Sequence, residues 1–227
     1  MMNLQFTHED FVRFLLFFPI VLISIAIHEF AHCWTTYRLG DDTPKQQGRV
    51  TLNPLVHLDP FGTIMIVISS LAGIGFGWGR SSPMNPYNFR HPARDRMLSA
   101  AAGPVSNLLQ MLVWGSIGLV LYHTVIHTAI NPTTAEFLVR LSLNGVIINA
   151  SLAIFNLLPV YPLDGHHILG YFVPPLQPII DNPMWGLVFL FLVFNRTLLG
   201  SVLLPVMKVV VAACTYLIGW PPPEWFS

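Results

Sequence analysis

The chain has 227 residues, of which 53% are hydrophobic and 10% are charged, and its formal net charge is zero. A soluble domain usually carries about 25% charged residues, so most of this surface is expected to face lipid. The sequence has no basic cluster of the kind that nucleic-acid binding requires. We therefore predict a single membrane-embedded domain over residues 1–227, with no nucleic-acid partner.

The first apolar run, near residues 11–37, contains the motif HEFAH at residues 28–32. In a helix, His28 and His32 lie on one face about one turn apart, where both imidazoles can bind one Zn²⁺. Glu29 then lies beside the metal and can accept a proton from an attacking water. Polar residues inside lipid each cost about 2–3 kcal/mol or more unless paired, which favours a functional site over a chance motif.

Further spans long enough for about 30 Å of hydrocarbon are predicted near residues 97–123 and 137–158, with two more within 184–220. The segment 61–78 is also apolar, but glycines interrupt it and β-branched residues occupy its middle. From its residues alone, this segment is a full span, a re-entrant segment or a β-hairpin.

A candidate for a third metal ligand follows the predicted span 137–158. Residues 156–165 read NLLPVYPLDG, in which two prolines break regular structure and Gly165 allows a close backbone approach. The Asp-Gly pair is also an ordinary turn signal. Because the chain has few acidic residues and most others lie in polar loops, Asp164 is the best candidate for the third ligand.

These motifs, in this order, resemble the site-2 proteases, which are intramembrane zinc metalloproteases. The family elements are matched by H-E-x-x-H at residues 28–32, G-P-x-x-N at 103–107 and N-x-x-P-x-x-x-L-D-G at 156–165. Two loop segments, 48–62 and 83–86, match loops of the compact prokaryotic members. The resemblance covers nearly the whole chain. It implies hydrolysis of peptide bonds within or next to transmembrane segments, in a prokaryotic plasma membrane.

The resemblance implies an all-α polytopic membrane protein. A three-helix catalytic core would span about residues 11–165, with additional transmembrane helices over about 166–220. His28 and Asp164 lie near the same ends of their helices, so these helices must run parallel, and the two spans after the first already supply the required crossings. We therefore predict that 61–78 is a short re-entrant or β-like element near the active site, able to offer an edge strand to an extended substrate.

The distribution of basic residues predicts the orientation. Seven Lys and Arg residues fall within 38–96, whereas the loop 124–136 has none. The positive-inside rule then places 38–96 in the cytoplasm and the metal site nearer the cytoplasmic leaflet.

The expected mechanism assigns each candidate residue a role. His28, His32 and Asp164 would hold Zn²⁺ with one coordination position open, and Glu29 would act as general base and then as general acid. Asn156 is the first choice for a donor to the oxyanion, because the resemblance assigns the equivalent asparagine to the neighbourhood of the scissile carbonyl.

Several other polar residues have alternative roles. Asn107 could donate to the oxyanion but is better explained as a side chain that joins helices. His57 and Asp59 could form a second metal site or a capped turn. His166 and His167 could gate water or substrate, or lie at the membrane interface with their rings partly wet.

Expected substrates are transmembrane helices of other membrane proteins, embedded in the same lipid bilayer. Recognition would use the membrane domain itself or a separate regulatory membrane protein. The alternative function is a membrane metal-binding or transport protein without peptidase activity. A transport pathway would spread ionisable groups along several helices, whereas the strongest set here converges at one depth.

Overall fold

The computed structural model describes residues 8–71, 77–125, 132–194 and 204–217. Within these ranges the regular structure is helical, and one isolated β-bridge joins Leu58 to Gly79. The predicted all-α class is therefore confirmed. The helices are α1 (His8–Arg38), α2 (Thr43–Gln46), α3 (Pro60–Leu71), α4 (Pro92–Val125), α5 (Pro132–Asn156), α6 (Gly165–Phe172), α7 (Gln177–Ile180), α8 (Pro183–Phe194) and α9 (Leu204–Leu217), with short 3-10 turns at Pro54–Val56, Pro86–Asn88 and Pro174–Leu176.

Three helices in the described ranges are long and apolar enough to cross a membrane, and they coincide with the first three predicted spans. The two spans predicted within 184–220 fall partly outside the described residues, and their described parts are α8 and α9. At about 1.5 Å per residue, the 34-residue α4 is about 50 Å long, so its polar first turns can lie outside the hydrocarbon. The apolar segments are Phe17–Arg38, Pro92–Thr124 and Phe137–Asn156.

Helices α1, α4 and α5 pack against one another and form the predicted three-helix core. Ile20 and Ile25 of α1 pack with Ile66 of α3 and Ile148 of α5 in a buried apolar cluster. A second cluster joins α4, α5 and α9. Because lipid tails offer no hydrophobic driving force between helices, close packing and interhelical hydrogen bonds must hold this bundle together.

The first part of the segment 61–78 is helical, since α3 covers Pro60–Leu71. The β-like interpretation is therefore wrong for these residues, because helical hydrogen bonds satisfy their backbone groups without a partner strand. Residues 72–76 lie outside the described ranges. The two ends of the segment meet, since a methyl group on Gly62 would lie 2.0 Å from the carbonyl oxygen of Trp78. Insertion of this returning segment into the membrane stays a prediction.

His57 and Asp59 serve the turn before α3. The carboxylate of Asp59 accepts the backbone N–H of Gly62 at 2.8 Å, and His57 Nε2 lies 2.8 Å from the carbonyl oxygen of Thr51. Neither residue belongs to the group of potential metal ligands found among the described residues. The structure thus favours the capped turn over a second metal site.

Asp41 joins the loop after α1 to the segment before α4. Its buried carboxylate accepts hydrogen bonds from the backbone N–H of Asn85 at 2.6 Å and the side-chain amide of Asn88 at 2.8 Å. Burial alone raises the pKa of Asp41, but hydrogen bonds from Thr43, Asn85 and Asn88 outweigh burial and bring the pKa below its usual range. The two polar segments are therefore held on the same side of the helix bundle.

Candidate active site

The three predicted metal ligands meet at one point between α1 and the start of α6. The Nε2 atoms of His28 and His32 lie 3.0 Å apart, and each lies 3.3 Å from Oδ2 of Asp164. Both histidines are buried, and Asp164 is partly buried. The helical repeat brings the two imidazoles together, whereas Asp164 reaches them from a distant part of the chain.

The spacing of these atoms fits a zinc ion. Zinc takes imidazole nitrogen and carboxylate oxygen at about 2.0–2.2 Å in tetrahedral geometry, which separates neighbouring ligand atoms by about 3.3 Å. The observed separations of 3.0–3.3 Å agree with this value. Two imidazoles and one carboxylate leave a fourth tetrahedral position open, as catalytic zinc sites require.

The other ring nitrogen of each histidine is also engaged. His28 Nδ1 lies 2.6 Å from Asn107 Oδ1, and His32 Nδ1 lies 2.7 Å from the carbonyl oxygen of Ser99. Because both partners are acceptor oxygens, each histidine carries its proton on Nδ1. The lone pair of each Nε2 therefore points at the position surrounded by the three ligand atoms. The sequence indicated an oxyanion donor or a helix-joining role for Asn107, but not the orientation of an imidazole. It had no signal for Ser99, because a backbone carbonyl carries no residue-type signature.

Asn107 also lies in a chain of hydrogen bonds that crosses the core. Its Nδ2 donates to Asn149 Oδ1 at 3.0 Å, and Asn149 Nδ2 donates to the hydroxyl of Ser24 at 2.9 Å. This direction of donation orients the Asn107 carbonyl oxygen toward His28. Asn107 therefore joins helices and orients an imidazole at the same time.

Asp164 is held where the chain turns from α5 into α6. A methyl group on Gly165 would lie 2.2 Å from the carbonyl oxygen of Leu157, so glycine is needed for this turn to pack against the end of α5. Burial raises the pKa of the Asp164 carboxyl, but the neighbouring His32 and His28 outweigh burial and hold it well below its usual range. Protonated imidazoles thus favour the ionised carboxyl, and a bound cation would supply the same positive charge to the three groups.

Glu29 and Asn156 line the same cavity, of about 430 Å³, as the three predicted ligands. Glu29 is buried, and its Oε2 has no hydrogen-bond partner among the described residues. Asn156 Nδ2 donates to the carbonyl oxygen of Leu152 at 3.0 Å. Because an amide nitrogen carries two protons, Asn156 keeps a second donor for another acceptor.

His166 and His167 also line this cavity. The ring of His166 is buried and hydrogen-bonds to the carbonyl oxygen of Leu163 through Nδ1. Burial, followed by the nearby charges of His166 and Arg96, lowers the pKa of His167 to about 3. His167 is therefore a neutral imidazole near neutral pH.

A buried arginine holds the wall of the cavity opposite α5. Arg49 is 4% exposed, and its guanidinium donates to the backbone carbonyl oxygens of Arg80 and, at 3.0 Å, Ser81. The wall approaches α1 so closely that a methyl group on Gly79 would lie 3.3 Å from Glu29 Oε1. From the sequence, Arg49 was only one of the seven basic residues within 38–96. Its role in the wall could not be predicted, because its contacts are with backbone groups about 30 residues away.

Comparison with known proteins agrees with this geometry. The model of peptidase family M50 matches residues 16–193. The chain belongs to peptidase family M50, the site-2 protease family. It is 40% identical over 190 residues to the "Putative zinc metalloprotease YwhC" of Bacillus subtilis (strain 168), and the aligned region covers 81% of each chain. No solved structure matches the chain.

More distant relatives carry similar names. The chain is 32% identical over 184 residues to the "Putative zinc metalloprotease Rip2" of Mycobacterium tuberculosis (strain ATCC 25618 / H37Rv), covering 76% of this chain and 64% of the relative. This chain is 28% identical over 172 residues to the "Putative zinc metalloprotease Rip2" of Mycolicibacterium smegmatis (strain ATCC 700084 / mc(2)155), covering 73% of this chain and 61% of the relative. The chain thus spans less than two thirds of these two relatives. The family match and the three long apolar helices together indicate a multi-pass membrane metalloprotease.

Gly103 of α4 generates a prediction about the metal cluster. A methyl group there would lie 2.3 Å from His32 Nε2 and 2.6 Å from His28 Cε1, so Gly103→Ala should displace both rings. We expect zinc affinity to fall by about 10–100-fold or more, measured by metal content after dialysis against graded chelator. Gly170→Ala in α6, whose methyl would make only ordinary contacts of 3.5 Å with Gln177 and Ile180, is the control and should retain zinc. Equal zinc retention in the two variants would contradict the close approach of α4 to the cluster.

Proposed function

We propose that this protein is an intramembrane zinc endopeptidase of the site-2 type, which hydrolyses peptide bonds within or next to transmembrane segments of membrane proteins. One observation carries the proposal. Two imidazole nitrogens and a carboxylate oxygen lie 3.0–3.3 Å apart in a cavity that also contains a buried carboxylate oxygen without a partner among the described residues. A metal-binding or transport protein has no need of that last group.

His28, His32 and Asp164 would hold the ion. When bound, zinc lowers the pKa of a coordinated water toward about 7 and polarises the scissile carbonyl. Asn107 and the Ser99 carbonyl would keep both Nε2 lone pairs directed at the ion through their hydrogen bonds to Nδ1.

Glu29 would move the protons of the reaction. It lies next to His28 in α1, and its buried Oε2 is free to accept the proton of the attacking water. The water oxygen forms a new bond to the peptide carbon, and Glu29 passes the proton to the nitrogen when the C–N bond breaks. The products are a carboxyl terminus and an amino terminus.

Asn156 would stabilise the charge that develops on the carbonyl oxygen. One proton of its amide is used by Leu152, and the second can donate to the oxyanion in the cavity. The hydrogen bond to Leu152 would hold the amide in place at the C-terminal end of α5.

The substrate would enter this cavity as an unwound peptide. A regular helix keeps its carbonyl groups in hydrogen bonds and shields them sterically, so a transmembrane helix must open before it is cut. Gly, Pro or Asn near the cut would lower the cost of opening. Such substrates share the bilayer with the enzyme, and a separate regulatory membrane protein could control their access.

The active site would lie nearer the cytoplasmic face of a prokaryotic plasma membrane. The support is the excess of basic residues within 38–96 and the contact of Asp41 with Asn85 and Asn88, which holds the two polar segments of this stretch on one side.

The chemistry predicts variants that keep zinc but lose turnover. Glu29→Gln should reduce cleavage of a reporter membrane helix by several orders of magnitude, because the amide cannot accept the proton. Asn156→Ala should reduce kcat by about 10²–10³-fold, the loss typical of one oxyanion donor. Zinc stoichiometry and turnover are measured on the same purified samples. Near-wild-type turnover in Glu29→Gln would remove it from the role of general base.

Asp164 should behave differently, because a ligand affects metal and activity together. Asp164→Ala is expected to lower zinc stoichiometry and cleavage in parallel, whereas Asp42→Ala, an exposed acidic residue outside the metal cluster, should keep both. Metal analysis after gel filtration checks the stoichiometry. Full zinc content in Asp164→Ala would refute its assignment as a ligand.

The orientation can be tested by labelling single cysteines. In a background with Cys33 and Cys214 replaced by Ala, cysteines at Lys45 and at Tyr87, which is 94% exposed, should react with an impermeant thiol reagent only from the cytoplasmic face. A cysteine at His123, near the other end of α4, should react only from the outside. Reaction of positions 45 and 87 from opposite faces would mean that the segment between them crosses the membrane.

A further inference from the structure

A second cavity, of about 220 Å³, lies beside the catalytic cavity, between the first turns of α4 and the helix α6. Its wall contains Arg96 from α4, Tyr171 from α6 and Gln177 at the start of α7. His167 belongs to the walls of both cavities. The two cavities are therefore adjacent at His167, which places the second cavity next to the one that contains the metal cluster.

The charges around this second cavity are unbalanced. Arg96 is half-buried, and no carboxylate of the described residues forms an ion pair with it, whereas the neighbouring Arg94 is paired with Asp95 at 2.9 Å. None of the described residues in the wall is acidic. Tyr171 and Gln177 add neutral hydrogen-bond donors, and Pro92 in the wall brings the positive end of the α4 dipole close to it.

We propose that this cavity is an accessory subsite that binds a carboxylate of the peptide substrate, namely an Asp or Glu side chain that flanks the scissile bond. The inference rests on the proposed function. A guanidinium presents paired N–H donors that match a carboxylate, and a partly buried pair is screened less by water than an exposed one. The shared wall favours a peptide that already occupies the catalytic cavity over a free lipid headgroup.

Such a subsite would discriminate among membrane helices. Segments next to a transmembrane helix on the cytoplasmic side carry an excess of Lys and Arg, so many helices would bring a basic residue to this cavity. A basic residue placed beside Arg96 would be repelled, while an acidic one would be held. The subsite would therefore disfavour helices with a basic residue beside the cut and favour those with an acidic one.

The test is a charge exchange between enzyme and substrate. Single-span reporters carry Glu, Gln or Lys at successive positions on each side of the cut, and kcat/KM is measured in vesicles of neutral lipid. At one position, the wild-type enzyme should prefer Glu to Lys by at least about 10-fold. Arg96→Gln should remove this preference, and Arg96→Glu should invert it. Arg90→Gln, an exposed arginine outside both cavity walls, is the matched control and should leave the preference unchanged.

A binding measurement separates the subsite from the chemistry. In the Glu29→Gln background, a fluorescent peptide with Glu at the preferred position should bind at least about 10-fold more tightly than its Gln counterpart, and Arg96→Gln should abolish the difference. Zinc content and Tm show whether each variant is folded. The comparison of Glu, Gln and Lys reporters on the wild-type enzyme does not depend on the folding of any variant.

Equal cleavage of the Glu, Gln and Lys reporters at every position would overturn the subsite and leave the protease proposal standing. Charge-selective binding without cleavage of any reporter would support the subsite and count against the proposed function. The lipid alternative has its own signature. If Arg96→Gln changes activity only in vesicles with an anionic lipid, and equally for all three reporters, the cavity binds a lipid phosphate and the peptide subsite is refuted.

Discussion

The convergence of two imidazoles and one carboxylate inside an apolar helix bundle is the constraint on which the rest of this structure depends. Each of these groups is costly to bury unless it is paired, and here their ligand atoms lie 3.0–3.3 Å apart. Helix α4 must then pass directly over the histidines, which only a glycine at position 103 permits. The arrangement of the three core helices is thus tied to the geometry of the cluster.

The hydrogen bonds around the cluster belong to the fold as much as to the site. Ser24, Asn149, Asn107 and His28 form one chain of contacts that crosses α1, α5 and α4. In lipid, where packing has little hydrophobic assistance, such contacts both join helices and satisfy buried amides. A change that loosened the bundle would also turn the imidazoles, so stability and metal binding are coupled through the same side chains.

Much of the architecture was predictable because it depends on local patterns. Apolar runs of sufficient length mark α1, α4 and α5, since a membrane permits few other solutions for the backbone. The segment that became α3 was ambiguous, because its β-branched residues and glycines suit a strand as well as a helix. Its helix follows from capping by Asp59 and packing of Ile66 against α1, and the packing is a tertiary contact that no periodicity displays.

The sequence by itself determined that His28 and His32 share a helix face, because the helical repeat acts over four residues. It also singled out Asp164, because acidic residues are scarce in an apolar chain. Only the tertiary structure decided which groups orient the imidazoles, since Asn107 and the Ser99 carbonyl lie 79 and 67 residues from their partners. The same holds for Arg49 and for the cavity beside Arg96, because contacts between distant segments produce no regular spacing of residue types in the sequence.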